Sequence, residues 1–160
     1  MKTKTTITEL THDNLVNLFS TALTGSSYLV AEYEGPSECD ENGEDDCFED
    51  ILANILLHDG SIKVTDYYAD GCVHGSLPHE YVDNDDEGEV VYVLTLDDIK
   101  RGLQHALDGT FKLNKGYEIH ERRIARKAFE SFVDEESYDF DLSYADTLLQ
   151  IILFDEIIYG

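Results

Sequence analysis

The chain has 160 residues, 42% hydrophobic and 11% aromatic, and sets 35 Asp and Glu against 11 Lys and Arg for a formal net charge of -24. That length predicts one domain burying roughly two thirds of its unfolded surface, and the apolar content excludes a disordered acidic tail. Solubility asks for a net charge of only about 2 to 8 in a small domain, and surplus like charge destabilises the compact state, so the acid answers another demand. The bases are not spread evenly: residues 99–129 hold 8 bases and 3 acids, and the rest of the chain 3 bases and 32 acids. No apolar stretch follows Lys2 and Lys4, and none approaches the ~18 residues a membrane span needs, so the expectation is a soluble, cytoplasmic protein. Cys39, Cys47 and Cys72 are an odd number without repeated spacing, which argues against a secreted disulfide framework. Anionic membranes and nucleic-acid backbones should both repel such a chain.

In chain order, residues 10–23 read as an amphipathic helix, with Thr11 as N-cap, Leu15, Leu18, Phe19, Ala22 and Leu23 as its apolar stripe, and Gly25 as its stop. Residues 28–33 read as a strand. An acidic, turn-rich loop over 35–46 leads to a helix over 47–58 that turns Phe48, Ile51, Leu52, Ile55 and Leu56 inward and stops at Gly60. Residues 62–68 read as a strand and 70–88 as a loop. Residues 89–95 are the clearest strand, and Thr95 then caps a helix over 96–107, with Asp98 placed for a capping box. A helix over 118–133 lies in the basic segment. The helix over 143–154 is apolar almost all round and should be the buried centre, with 156–160 as a terminal strand beside it. The expected fold is α+β: a single domain over 1–160, with a small antiparallel or mixed sheet of about three to four strands and about five helices.

Three tracts hold most of the acid. Residues 32–50, 80–98 and 130–156 carry 10, 8 and 9 acids and no base. A compact chain of this length is about 40 Å across, and duplex DNA holds about 24 phosphates over that distance, which matches the net charge. In length and charge the chain resembles the acidic DNA-mimic, anti-defence proteins that phages and mobile elements use against restriction and CRISPR systems. The resemblance rests on bulk properties and no shared motif. It implies a non-enzymatic inhibitor whose carboxylates stand in for phosphates in the groove of a basic nucleic-acid-binding protein. Glu38, Asp40, Glu41, Glu44, Asp45, Asp46, Asp83, Asp85, Asp86, Glu87, Glu89, Asp134, Glu135 and Glu136 are then the candidate partner-binding residues, expected to converge on one face. Ten tyrosines suit an interface, since each joins an apolar ring to a polar tip.

The alternative is an acidic calcium-binding protein. Glu38, Asp40, Asn42, Glu44, Asp46 and Glu49 fall at positions 1, 3, 5, 7, 9 and 12 of an EF-hand loop, with Gly43 at 6. Against it, position 1 is not Asp, Asp45 fills a usually apolar position, and Pro36 interrupts the entering helix. Cys39, Cys47, Cys72 and His74 have the wrong spacing for a short zinc motif. His79-Glu80 and His120-Glu121 open like His-Glu-x-x-His, but the fifth residues are Asp83 and Ile124. A Cys72/His74 nucleophile pair has nothing further to support it, and no phosphate loop is present, so no enzyme and no cofactor are expected. On the basic helix, Arg122, Arg123, Arg126 and Lys127 share one face, with Ile119, Ala128, Phe129 and Phe132 toward another. Pairs Glu118/Arg122 and Arg126/Glu130 partly neutralise it. Its expected use is to neutralise acid within the fold or on a second copy of the chain, not to bind nucleic acid.

Overall fold

A computed structural model describes residues 9–24, 26–33, 48–82, 88–134 and 140–159. Its elements are α1 (His12–Thr24), β1 (Leu29–Glu32), α2 (Phe48–Leu57), β2 (Ser61–Asp66), β3 (His79–Val82), β4 (Glu89–Thr95), α3 (Leu96–Asp108), α4 (Glu118–Val133) and α5 (Leu142–Phe154). Among the described residues this is five helices and one four-stranded antiparallel sheet, order β1-β2-β4-β3, the expected α+β class.

Local chemistry sets most boundaries. At α1, Thr11 Oγ1 accepts from the Asn14 N–H at 3.1 Å while Asn14 Oδ1 accepts from the Thr11 N–H at 3.0 Å. Thr95 and Asp98 form the reciprocal capping box of α3, and Gly109 closes that helix at φ 69°. Asp141 caps α5 by accepting from the Tyr144 N–H at 3.0 Å. The stop of α2 differs from expectation: Asp59 takes the left-handed conformation, at φ 64°, not Gly60. Gly60 is required for a different reason, because a Cβ there would lie 2.7 Å from Ile55 Cγ2 and 2.8 Å from the Ile55 carbonyl oxygen.

Two assignments are corrected. The 70–88 segment contains β3, an edge strand that pairs His79 with Tyr92 and Val82 with Glu89. Three of its four residues are exposed, so it shows no buried alternation by which to be recognised. The tail after α5 is not a strand: it makes one isolated bridge, Lys112 to Glu156, and its backbone is then held by side chains. Gln150, buried on α5, accepts from the Ile158 and Tyr159 N–H groups through Oε1, both at 2.8 Å, and donates from Nε2 to the Tyr159 carbonyl at 2.9 Å. Asn114 Nδ2 donates to the Ile157 carbonyl at 2.9 Å. One amide side chain satisfies the backbone groups that a neighbouring strand would have taken.

The core lies between the inner sheet face (Leu29, Ala31, Ile62, Val64, Val90, Tyr92, Leu94) and the helices. α5 is its centre, with nine of 13 residues buried and α1, α3 and α4 packed around it. Gly102 sets the α3–α5 separation, since a Cβ there would stand 2.5 Å from Ile152 Cα. α1, α2 and α3 pack on strands, whereas α4 packs on α5, α3 and α1.

Candidate functional site

Most of the expected partner-binding residues, from Glu38 to Asp46, from Asp83 to Glu87, and Glu135 and Glu136, lie outside the described residues. The residues that flank the first two of these tracts lie apart. Tyr33 and Phe48, on either side of 34–47, touch with ring centroids 5.8 Å apart at the end of β1. Val82 and Gly88 flank 83–87 at the opposite end of the sheet and across its other edge: β1 and β3 are the two outer strands, and the register sets Glu32 against Lys63 but Val82 against Glu89. Asp134 and Phe140 flank the third tract, with Phe140 packed on Phe132. Of the candidates that are described, Asp134 is exposed beyond α4, while Glu89 is buried at the start of β4, inside the protein and not on its surface. Glu49, last of the calcium set, is in the first turn of α2, and its five companions lie outside the described residues. Of the zinc set, Cys72 is exposed and His74 half-buried, with the ring of His74 against Phe154.

The charge is nevertheless segregated in space. Residues 5–99, which build α1, α2 and the whole sheet, contain one base, Lys63. The other described bases sit on α3, α4 and the loop between them. On α4, Arg122, Arg123, Arg126 and Lys127 are exposed. Their contacts are few: Arg126 pairs with Glu130 at 3.3 Å in the same helix, and Arg122 Nε donates to the Gly109 carbonyl, at the end of α3, at 3.3 Å. Among the described residues Arg123 and Lys127 form no ion pair. Two side chains on α4 stand opposite to what their polarity alone suggests. Ile119 is 73% exposed, and Glu121 is buried, accepting from the Asn114 N–H at 2.7 Å and its Nδ2 at 2.9 Å.

A second polar cluster had no counterpart in the sequence reading. Where β1 begins and β2 ends, Tyr28, Tyr68 and Tyr159 pack on one another, with centroids 5.4, 4.7 and 6.2 Å apart and the Tyr28–Tyr68 pair stacked at 18°. Their donors end on two carboxylates. The Tyr28 hydroxyl donates to Asp146 Oδ1 at 2.5 Å, the Tyr159 hydroxyl to Asp66 Oδ2 at 2.8 Å and the Tyr68 N–H to Asp66 Oδ1 at 2.9 Å. Asp66 is fully buried, and desolvation raises its carboxyl above the usual range despite the donors that favour its charge. Burial first, then the hydrogen bond to a carboxylate, raises the Tyr28 and Tyr159 hydroxyls, which stay protonated donors. The one sequence signal was the pair Tyr67-Tyr68 next to a strand. It was read as part of the strand, whereas β2 stops at Asp66.

A cleft of about 180 Å³ between α3 and α5 is small for a ligand site. Two of its polar groups are already engaged: Arg101 with Asp98 at 2.7 Å and His105 Nδ1 with Thr110 Oγ1 at 2.6 Å. Among the described residues no group of three or more His, Cys, Asp or Glu is placed to hold a metal, and no helix is long and apolar enough to cross a membrane. The chain matches no family model, and no curated protein or solved structure was found similar to it.

Proposed function

We propose that this is a non-enzymatic acidic protein that binds and blocks a basic, nucleic-acid-binding partner, its carboxylates taking the place of phosphates. The observation that carries the reading is the segregation of charge: α1, α2 and the sheet carry a single base, while the other described bases are on α3, α4 and their connecting loop. A protein that needed acid only for solubility would have no reason to clear bases from one side, because interspersed charges serve that end. The flanks of two of the acidic tracts stand at different corners of the sheet, so the contact is better described as an acidic body entering a basic groove than as one row of carboxylates copying one strand. Electrostatic association of this kind is fast and weakens with salt, since screening acts over about 8 Å at physiological ionic strength. The test is a pull-down with the full chain at low and high salt, with duplex DNA as competitor. Basic nucleic-acid-binding proteins should be retained at low salt and released both by salt and by the duplex. Captured proteins that are indifferent to both would overturn the reading.

A further inference from the structure

The tyrosine cluster supplies what an acidic surface alone lacks, a rigid apolar anchor. We infer that the Tyr67–Tyr68 turn is a docking platform for an arginine side chain of the basic partner, an inference that rests on the function proposed above. Exposed side chains are usually mobile, and fixing one on binding costs entropy. Tyr68 is fixed beforehand, and the backbone of both residues is held. The Tyr67 N–H donates to the Tyr28 carbonyl at 2.9 Å, the Tyr68 N–H donates to Asp66, and the Tyr68 ring lies on Tyr28 with its hydroxyl 3.5 Å from Ser27 Oγ. Tyr68 is still 55% exposed and Tyr67 38%. One face of the Tyr68 ring lies on Tyr28, which leaves the exposed part of the residue to the rest of the ring.

The chemistry selects a cation. A cation over the Tyr68 ring meets the negative face of its quadrupole, with the Tyr28 ring stacked behind it. The segments that build the platform, 26–28, 66–70, 146–150 and 159, contain no Lys or Arg, and Asp70 is exposed beside it. A guanidinium is preferred to an ammonium, because it is planar, stacks on an aromatic face and is the more weakly hydrated of the two.

The test uses the full chain with two probes of equal charge, nona-arginine and nona-lysine, titrated at physiological salt and followed by tyrosine ring NMR shifts. Both should bind through the acidic surface, with nona-arginine about threefold to fivefold tighter and the largest shifts at Tyr68. Tyr68→Leu should abolish the preference and leave nona-lysine affinity unchanged, and Tyr68→Phe should keep it. Tyr117→Leu, which removes an equally exposed ring on the basic side, should keep it too. Equal affinity for the two peptides, or a preference that survives in Tyr68→Leu, overturns the platform while leaving the acidic surface standing. Failure of both peptides to bind overturns the function on which it rests and the platform with it.

Discussion

α5 buries nine of its 13 residues, while α4, packed against it, buries five of 16 and turns Arg122, Arg123, Arg126 and Lys127 to solvent. Each helix also buries one polar side chain that fastens an irregular segment: Gln150 the backbone of 158–159, and Glu121 the loop at Asn114. The difference between them is therefore not polarity as such but direction. Polar groups that face inward are saturated with partners and belong to the architecture, while those that face outward on α4 have few: Arg126 pairs with Glu130 and Arg122 reaches the Gly109 carbonyl. Acid count overstates displayed charge for the same reason, since Asp66, Glu89 and Glu121 are all buried.

The comparison breaks first, and most severely, at the α3–α5 contact. Ile152→Ala should cost about 2–5 kcal/mol, a large part of a total near 5–15 kcal/mol. Gly102→Ala forces a methyl to 2.5 Å from Ile152 Cα, a clash with backbone that no rotamer relieves. Denaturant melts of the two variants should both show a large loss of stability, and either one melting with wild type would show that α5 is not the centre of cooperativity.

Gln150→Leu comes next. It keeps an apolar shape but strands the Ile158 and Tyr159 N–H groups and the Tyr159 carbonyl, at roughly 1–3 kcal/mol in all, because the half-buried tail can take up water. Hydrogen exchange should locate the change: amides 158 and 159 lose protection, whereas those in the middle of α5 keep it.

These residues also mark how far the sequence could be read. Periodicity made α1 and α2 legible, because a stripe of apolar residues every three or four positions has one interpretation, while α5 showed as a run apolar almost all round, and Thr95 with Asp98 declared its own cap. The strands β2 and β4 were legible for their buried alternation, and β3 was not, having no buried face to alternate. The tail was misread because Ile157-Ile-Tyr looks like a strand by composition, and nothing local says that its pairing partner is the side chain of Gln150. Ile119 was grouped with Ala128, Phe129 and Phe132 on one face, but it is exposed, while Glu121 is buried, and its partner Asn114 is seven residues away. The tyrosine platform escaped for a stronger form of the same reason. Its members, Tyr28, Asp66, Tyr68, Asp146 and Tyr159, span most of the chain, and only tertiary packing brings them together. Of the acidic site, the sequence yielded its quantity and its depletion of bases, while the strand register supplied the separation of its flanks.

A pH experiment sharpens the inward half of the comparison. Burial raises Asp66 in the folded state, so between the ordinary carboxylate range and that raised value the folded protein binds more protons than the unfolded one, and stability falls as pH rises through the window. Asp66→Asn cannot titrate and loses this slope. It also offers one acceptor where Tyr159 and Tyr68 present two donors, so it is less stable than wild type throughout. The gap between the two proteins should be widest at acid pH and narrow toward neutrality. A gap that widens toward neutrality would show that the Tyr159 and Tyr68 donors outweigh desolvation and hold Asp66 charged.

The smallest effect is expected on the outward half. Arg123→Glu with Lys127→Glu moves the net charge from -24 to -28, and among the described residues neither base has an ion pair to lose. Surface substitutions of this kind stay within about 0.5 kcal/mol. The added repulsion acts on charges spread over the whole protein, most of them farther apart than the ~8 Å over which they are felt at physiological ionic strength. The variant should therefore melt with wild type there and fall below it only at low salt. A loss above about 1 kcal/mol at physiological salt would mean that acid elsewhere in the chain covers this face. The basic helix would then be a partner of the acidic body within one molecule, and the segregation on which the proposed function rests would have to be redrawn.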